Sequence, residues 1–341
     1  MTGLATDVVT RQRIFGMMQA YKQTSLLRTG IELGVFDALG PEPSDAARLS
    51  ARLAADPRGM RILLNALAAI GLLELDGAEY RLSPGTEQFL VRGGPDYLGD
   101  MVRVMSSDWE WDALKELTAA VRHGGTVTTV NAETPRYQYW EDFASFATAV
   151  AEPTARRTAE VLEQWADDRP ALDVLDVACG HGLYGYEFAA AHPRARVWSL
   201  DWPNVLTITR EHAERRGVAD RAAFIPGDMF SVPLGGPYDL ILLTNVTHHF
   251  DEQRVTELLA RLRTALKPDG RLVIVGFTVG DEAPSVDPAP HLFSVLMLVW
   301  TGGGESHSVA SYDRALAAAG YTQATVIPTD LPFRILLADP A

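Results

Sequence analysis

The chain has 341 residues, 47% of them hydrophobic, which is enough for two domains with separate cores. Its 44 acidic side chains outnumber 30 basic ones, for a net charge of −14, so a surface built to gather phosphates is not expected. The one cysteine, Cys179, excludes a disulfide framework or a cysteine-rich metal site. No apolar run reaches the ~18 residues of a membrane span, and Met1 to Tyr21 mixes Asp7, Arg11 and Arg13 with apolar residues and has no signal-peptide core. The expected location is the cytoplasm.

Residues 12–39 carry helical periodicity through Ile14, Met17, Met18, Tyr21, Leu26, Leu27 and Ile31. Ser44 is placed to cap a short helix over 45–53, and Asp56-Pro57 reads as the cap and first residue of a helix running to Gly71. Leu72–Leu75, a turn at Asp76-Gly77 and Tyr80–Leu82 then form a hairpin. Helix, helix, hairpin is the winged-helix pattern. Its presumptive recognition helix offers only Arg58 and Arg61, and the wing sets Arg81 beside Asp76 and Glu79, so little counterion release is available. Nucleic acid is therefore not an expected partner. Residues 1–95 are read instead as a domain that buries its apolar faces against a second subunit. Residues 96–165 are read as a helical connector rich in aromatics, of which Trp140 and Phe143 are candidates to wall a flat apolar pocket.

From residue 166 onward strands alternate with helices, which implies a parallel sheet. The strand candidates are 172–177, 195–200, 222–225, 238–244 and 271–277; the helix candidates are 183–191, 204–216, 252–266 and 308–319. Lys267 to Gly270 reads as a turn, and 322–327 with 333–338 as a closing antiparallel pair. The predicted class is α/β: a doubly wound, Rossmann-like sheet with an antiparallel end, preceded by a mainly helical winged-helix domain.

The most specific signal is Val-Leu-Asp-Val-Ala-Cys-Gly-His-Gly-Leu-Tyr-Gly over 174–185. A buried strand runs into a loop with Gly180, Gly182 and Gly185 at GxGxxG spacing, where the backbone can turn tightly and approach a nucleotide-like ligand. Asp201 closes the next apolar run, about 20 residues on, where a carboxylate can accept both hydroxyls of a ribose. An adenosine-containing cofactor is the implied ligand. Asp176, inside the first strand, is unhelpful beside a diphosphate but suits the positive sulfonium and ammonium of S-adenosyl-L-methionine (SAM). After the third strand, Gly227-Asp228-Met229-Phe230 puts a carboxylate and two apolar side chains at the ligand edge, for the amino group and faces of adenine. The fourth strand ends in Asn245-Val246-Thr247-His248-His249-Phe250-Asp251-Glu252. A neutral imidazole there can take the proton of a phenol, and His248 is the expected base.

The first motif, with Ala178 where glycine is usual, resembles that of class I SAM-dependent methyltransferases; alanine is expected to be harmless there if its φ is negative. The two-domain plan, Asp201-Trp202-Pro203, the Gly-Asp-Met-Phe run and the His-His-Phe-Asp-Glu segment resemble the small-molecule O-methyltransferases of the caffeate, acetylserotonin and polyketide-tailoring type. The resemblance spans nearly the whole chain. It implies a homodimer formed through the N-terminal domain, SAM held by Asp176, Gly180, Gly182, Asp201, Trp202, Asp228, Met229, Phe230 and Asn245, and a small aromatic acceptor. It also implies His248 as catalytic base with Glu305 supporting it, while the family's second supporting glutamate falls at Gly276. Asp281, Glu282 and His291 are nearby candidates to replace that group. His249, Met297 and Trp300 complete the expected substrate pocket. No metal is expected, because Thr244 and Asn245 stand where metal-dependent relatives carry clustered carboxylates. A hydroxynaphthoate-like acceptor is the implied substrate; C-methylation, a non-methylating SAM enzyme and, less favoured, an NAD-dependent oxidoreductase remain open.

Overall fold

A computed structural model describes residues 9–40, 42–94, 96–134 and 137–341; Asp7, noted above, lies outside them. The chain divides into two compact units, the first ending at Asp108 and the second beginning at Trp109. The stretch 96–165, read as a connector, is thus shared between the two.

In the first unit a helix spans Arg11–Glu32, capped by Thr10, whose Oγ1 accepts from Arg13 N at 3.2 Å. The periodicity continues to residue 39, but the helix does not: Gly34 adopts φ +73°, and a separate helix follows over Val35–Leu39. Ser44 is not the next cap. It pairs with Tyr80 as part of strand β1 (Ser44–Asp45), and Asp45 caps helix Ala46–Arg52 by accepting from Arg48 N at 2.8 Å. Asp56 caps helix Pro57–Ala69 as expected, accepting from Gly59 N at 2.8 Å. Strands β2 (Leu73–Asp76) and β3 (Glu79–Leu82) form the hairpin, turning at Gly77. Phe36, Leu49, Met60, Leu64 and Leu67 pack the core of this unit. Ile14, Phe15, Met17, Met18 and Tyr21 of the long helix do not join it and are 40–65% exposed.

The second unit is built on a seven-stranded sheet. Its strands are β4 (Leu172–Val177), β5 (Ala195–Asp201), β6 (Ala222–Pro226), β7 (Tyr238–Thr244), β8 (Leu266–Gly276), β9 (Thr325–Pro328) and β10 (Arg334–Ala338), in the order β6-β5-β4-β7-β8-β10-β9. β6 through β8 are parallel, and β10 and β9 close the edge antiparallel. The side chains show why this sheet is covered on both faces. Leu175, Val177, Ile241, Leu243, Leu272 and Ile274 belong to one apolar cluster, and their alternates Val174, Leu240, Leu242, Val273 and Val275 to the other. The expected turn at Lys267 to Gly270 is looped out of β8: Tyr238 pairs with Leu266 and Leu240 with Arg271, leaving Asp239 opposite the four inserted residues. The buried Asp239 carboxylate organises this bulge, accepting from Lys267 Nζ and Asp173 N at 2.8 Å each and from Arg169 Nη1 at 3.2 Å.

Chain order places β4, β5 and β7 side by side, with β4 leading left to β5 and β7 lying to its right. A crevice opens outside the carboxyl ends of strands at such a switch point. Gly185, on the helix Leu183–Ala191 that follows β4, sets how closely that helix sits on the sheet. A Cβ there would stand 2.8 Å from Val197 Cγ1 and 3.0 Å from Asp176 Oδ2. Gly185→Ala should therefore cost about 1–3 kcal/mol, the usual range for overpacking a tight site, read as a lower urea midpoint with an unchanged slope.

Candidate functional site

A cavity of about 500 Å³ opens where β4, β5, β6 and β7 end. Beyond β4 the loop takes two left-handed residues in three, Ala178 and Gly180, both at φ +52°, and Gly182 follows at +74°. The condition under which alanine is harmless here, a negative φ, is not met, and Ala178 carries a cost of roughly 1–2 kcal/mol that glycine would not. Four of the loop's backbone amides are engaged within the protein. Cys179 N donates to Leu200 O (3.1 Å), Gly180 N to Asp201 Oδ2 (2.8 Å), Gly182 N to Cys179 O (2.8 Å) and Leu183 N to His181 Nδ1 (3.2 Å).

Asp201 ends β5 at the cavity wall. Its other oxygen accepts from Trp202 N at 2.7 Å, and burial raises its carboxyl to about 6 despite these two donors. Asp228 follows β6, accepts from Phe230 N at 2.9 Å and lines the same cavity with Met229 and Phe230. The Arg254 guanidinium lies 3.6 Å over the Phe230 ring, covering one of its faces. Asn245 leaves β7 at φ +52°; its Nδ2 donates to Tyr184 Oη at 3.3 Å, and its buried Oδ1 has no partner in the protein. Trp140 and Phe143 form the opposite wall, and the His249 ring meets Trp140 edge-on at 5.1 Å.

Of the residues singled out from sequence, Gly180, Asp201, Trp202, Asp228, Met229, Phe230, Asn245, Trp140, Phe143 and His249 line this one cavity. Six do not. Asp176 is fully buried beneath the loop, accepting from Gly185 N at 3.2 Å, with Oδ1 unpartnered; burial raises its carboxyl to about 8, so at neutral pH it is largely uncharged. Gly182 is needed for its backbone, since a Cβ would fall 2.5 Å from the Tyr186 ring. Met297 and Trp300 are core residues behind the wall, Trp300 packing against Tyr139 with ring centroids 4.6 Å apart. His248 turns away from the cavity. Its ring meets Phe293 at 4.7 Å, and its unpartnered Nδ1 would lie 3.8 Å from a Cβ on Gly276. Glycine at 276 therefore removes the group that would have engaged it. Glu305 is exposed and bonds to neither histidine, so it is not the support expected of it. Burial holds His248 far below the usual imidazole range and His249 at about 4, leaving both neutral. Sequence reasoning missed His181, Tyr184 and Arg254. His181 lay inside the motif itself; Tyr184 and Arg254 sit on helix turns that carry no signal of their own.

These features define an α/β fold of the nucleotide-binding kind, with a cavity at the strand ends that sets carboxylates opposite an aromatic wall. Residues 115–322 match the O-methyltransferase domain and residues 15–92 the O-methyltransferase dimerisation domain. The chain belongs to the SAM-dependent O-methyltransferase family. It is 29% identical over 313 residues to 3-hydroxy-5-methyl-1-naphthoate 3-O-methyltransferase of Streptomyces sahachiroi, covering 89% of this chain and 88% of that one. A crystal structure of a candidate O-methyltransferase from Nostoc punctiforme superposes with a TM-score of 0.90 at 29% identity, over 97% of this chain and 99% of the other. Human N-acetylserotonin methyltransferase in complex with SAM shares the fold with a TM-score of 0.84 at 22% identity, over 99% and 100%. Among the described residues, no cluster of three or more histidine, cysteine or acidic side chains is arranged to hold a metal, and no helix is long and apolar enough to cross a membrane.

The Asp176 carboxyl makes a testable contribution to stability. It holds its proton to about pH 8 when folded and loses it near 3.8 when unfolded, so folding takes up a proton between those values and stability is lost as pH rises through that window. Asp176→Asn lacks this slope. Its melting temperature relative to the parent should climb from pH 5 to pH 8.5; a constant difference across that range would show that Asp176 is ionised in the fold.

Proposed function

We propose that this protein methylates a phenolic hydroxyl of a small, polyketide-derived aromatic, with SAM and the acceptor meeting inside the cavity at the ends of β4, β5, β6 and β7. The observation that carries the reading is the juxtaposition in one cavity of the Asp201 and Asp228 carboxylates, the unpartnered Asn245 Oδ1, and a wall of Trp140, Phe143 and His249. The residues present fit the cofactor. Asp201 retains lone pairs for the ribose hydroxyls, Asp228 for the adenine amino group, and Met229 and Phe230 supply apolar faces. A dinucleotide fits less well, because four of the amides that would face a diphosphate, those of Cys179, Gly180, Gly182 and Leu183, already donate to Leu200, Asp201 and the loop itself. The naphthoate named for the Streptomyces sahachiroi relative supports a fused aromatic acceptor.

When bound, SAM supplies a methyl group on a sulfonium, open to in-line attack by an oxygen. His249 is the group we assign to the acceptor proton: it lines the cavity, and its buried Nδ1 has no partner. A neutral imidazole lowered to about 4 by burial is a weak base against a phenol near 10. Full proton transfer in advance is thus steeply uphill, and the proton leaves as the methyl arrives. Alignment by Trp140 and Phe143 then supplies the larger share of the rate. The exposed apolar face of helix Arg11–Glu32 and the dimerisation-domain match support a homodimer, which light scattering at twice the chain mass would verify.

Calorimetry with S-adenosylhomocysteine and NADH tests the cofactor assignment: micromolar affinity for the first and none for the second is expected, and the reverse would end it. His249→Ala should keep S-adenosylhomocysteine affinity within about twofold while slowing methyl transfer about 10²-fold. His248→Ala should leave methyl transfer nearly unchanged. Inverted effects of the two variants would return the base to His248.

A further inference from the structure

His181 stands between Gly180 and Gly182, lines the cavity and is almost fully buried. Its ring is stacked with those of Phe143 (centroids 6.0 Å apart, planes at 19°) and Tyr184 (6.3 Å, 24°), which restrict its plane. Leu183, the first residue of helix Leu183–Ala191, donates its N–H to His181 Nδ1 at 3.2 Å. A ring nitrogen that accepts cannot carry the proton, so the neutral ring bears it on Nε2. Burial keeps the imidazole neutral by lowering it to about 3.

The consequence is a relay of polarity. Leu183 N–H is one of the helix's unpaired N-terminal donors, and the imidazole carries its donor character across the ring to Nε2. Nε2 itself makes no hydrogen bond to the described residues, and it is not among the polar atoms sealed from solvent. The amides of Cys179, Gly180, Gly182 and Leu183 are all committed elsewhere. An anion beside this loop would meet His181 Nε2–H as an uncommitted side-chain donor at the cavity wall.

We propose that His181 Nε2–H donates to the carboxylate at the amino-acid end of SAM, positioning the sulfonium relative to the acceptor. This rests on the reading of the cavity as the SAM site. With adenosine between Asp201 and Asp228, the amino-acid end extends along the glycine loop, where His181 lies.

The test is calorimetry of the full chain with two ligands. S-adenosylhomocysteine carries the amino-acid end; 5′-methylthioadenosine keeps the adenosine and sulfur and lacks it. His181→Phe preserves the aromatic stack and should bind S-adenosylhomocysteine at least about tenfold more weakly, as expected for a lost hydrogen bond to a charged group, with methylthioadenosine changed less than about twofold. His181→Gln, which retains an N–H donor, should recover part of the loss. Equal losses for both ligands, or no loss, would reduce His181 to a packing residue. If His181→Phe fails to fold, the parent protein still decides the point together with His181→Gln: equal affinity for the two ligands overturns the proposal alone. Binding of neither ligand by the parent overturns the cofactor reading and this proposal together.

Discussion

The Asp201 residue ties three strand ends into one surface. Its carboxylate accepts from Gly180 in the loop after β4 and from Trp202 just after β5, and its backbone oxygen accepts from Gly227 N after β6 at 3.0 Å. Each bond to a charged acceptor is stronger than a neutral one, yet burial outweighs both and raises the carboxyl to about 6. The protein thus carries a buried charge against its solvation preference. A charge held at that cost has little freedom to move, so the lone pairs it leaves unused point in a set direction. A ligand gains preorganised acceptors without having to order them.

The aromatic side uses the opposite strategy. Tyr137, Tyr139, Trp140 and Trp300 interlock edge-to-face, and Trp140 is pinned by its Nε1 donating to Ala132 O at 3.1 Å. His181, His248 and His249 are all driven neutral by burial. One side of the cavity therefore presents fixed acceptors, and the other the aromatic rings of Trp140 and Phe143 with the neutral His249 imidazole. The faces of aromatic rings attract a cation through the ring quadrupole, so a wall without formal charge still suits a sulfonium cofactor.

The sheet and its ligand edge were legible because both rest on strong periodic signals. Buried strands alternate between two apolar clusters, and the glycine spacing with an acid at the next strand end admits few other structures. Burial depth and side-chain direction were not legible. Asp176 is four residues from Gly180 in sequence, but β4 points it under the loop rather than into the cavity. Adjacent histidines necessarily diverge, and the choice between His248 and His249 depends on Phe293 and Gly276, both distant in sequence. Glu305 was assigned by resemblance, and the Gly302 to Glu305 turn exposes it. The positive φ of Ala178 was not legible either, because it is set by where the loop must go after Val177, which no local propensity encodes.

The glycine loop illustrates why a shared pattern does not dictate a shared ligand. In a phosphate site, glycines matter because they leave amides free to face the anion. Here Gly180 and Gly182 let the chain fold back so that its amides satisfy Asp201 and the loop itself. The same spacing thereby yields a surface with four of its backbone donors withdrawn and a carboxylate set beside it. Such a surface repels a diphosphate and tolerates a cation, which is the distinction between a dinucleotide and a sulfonium cofactor. Specificity between the two thus lies less in the glycines than in what their neighbours' N–H groups have already been given to hold.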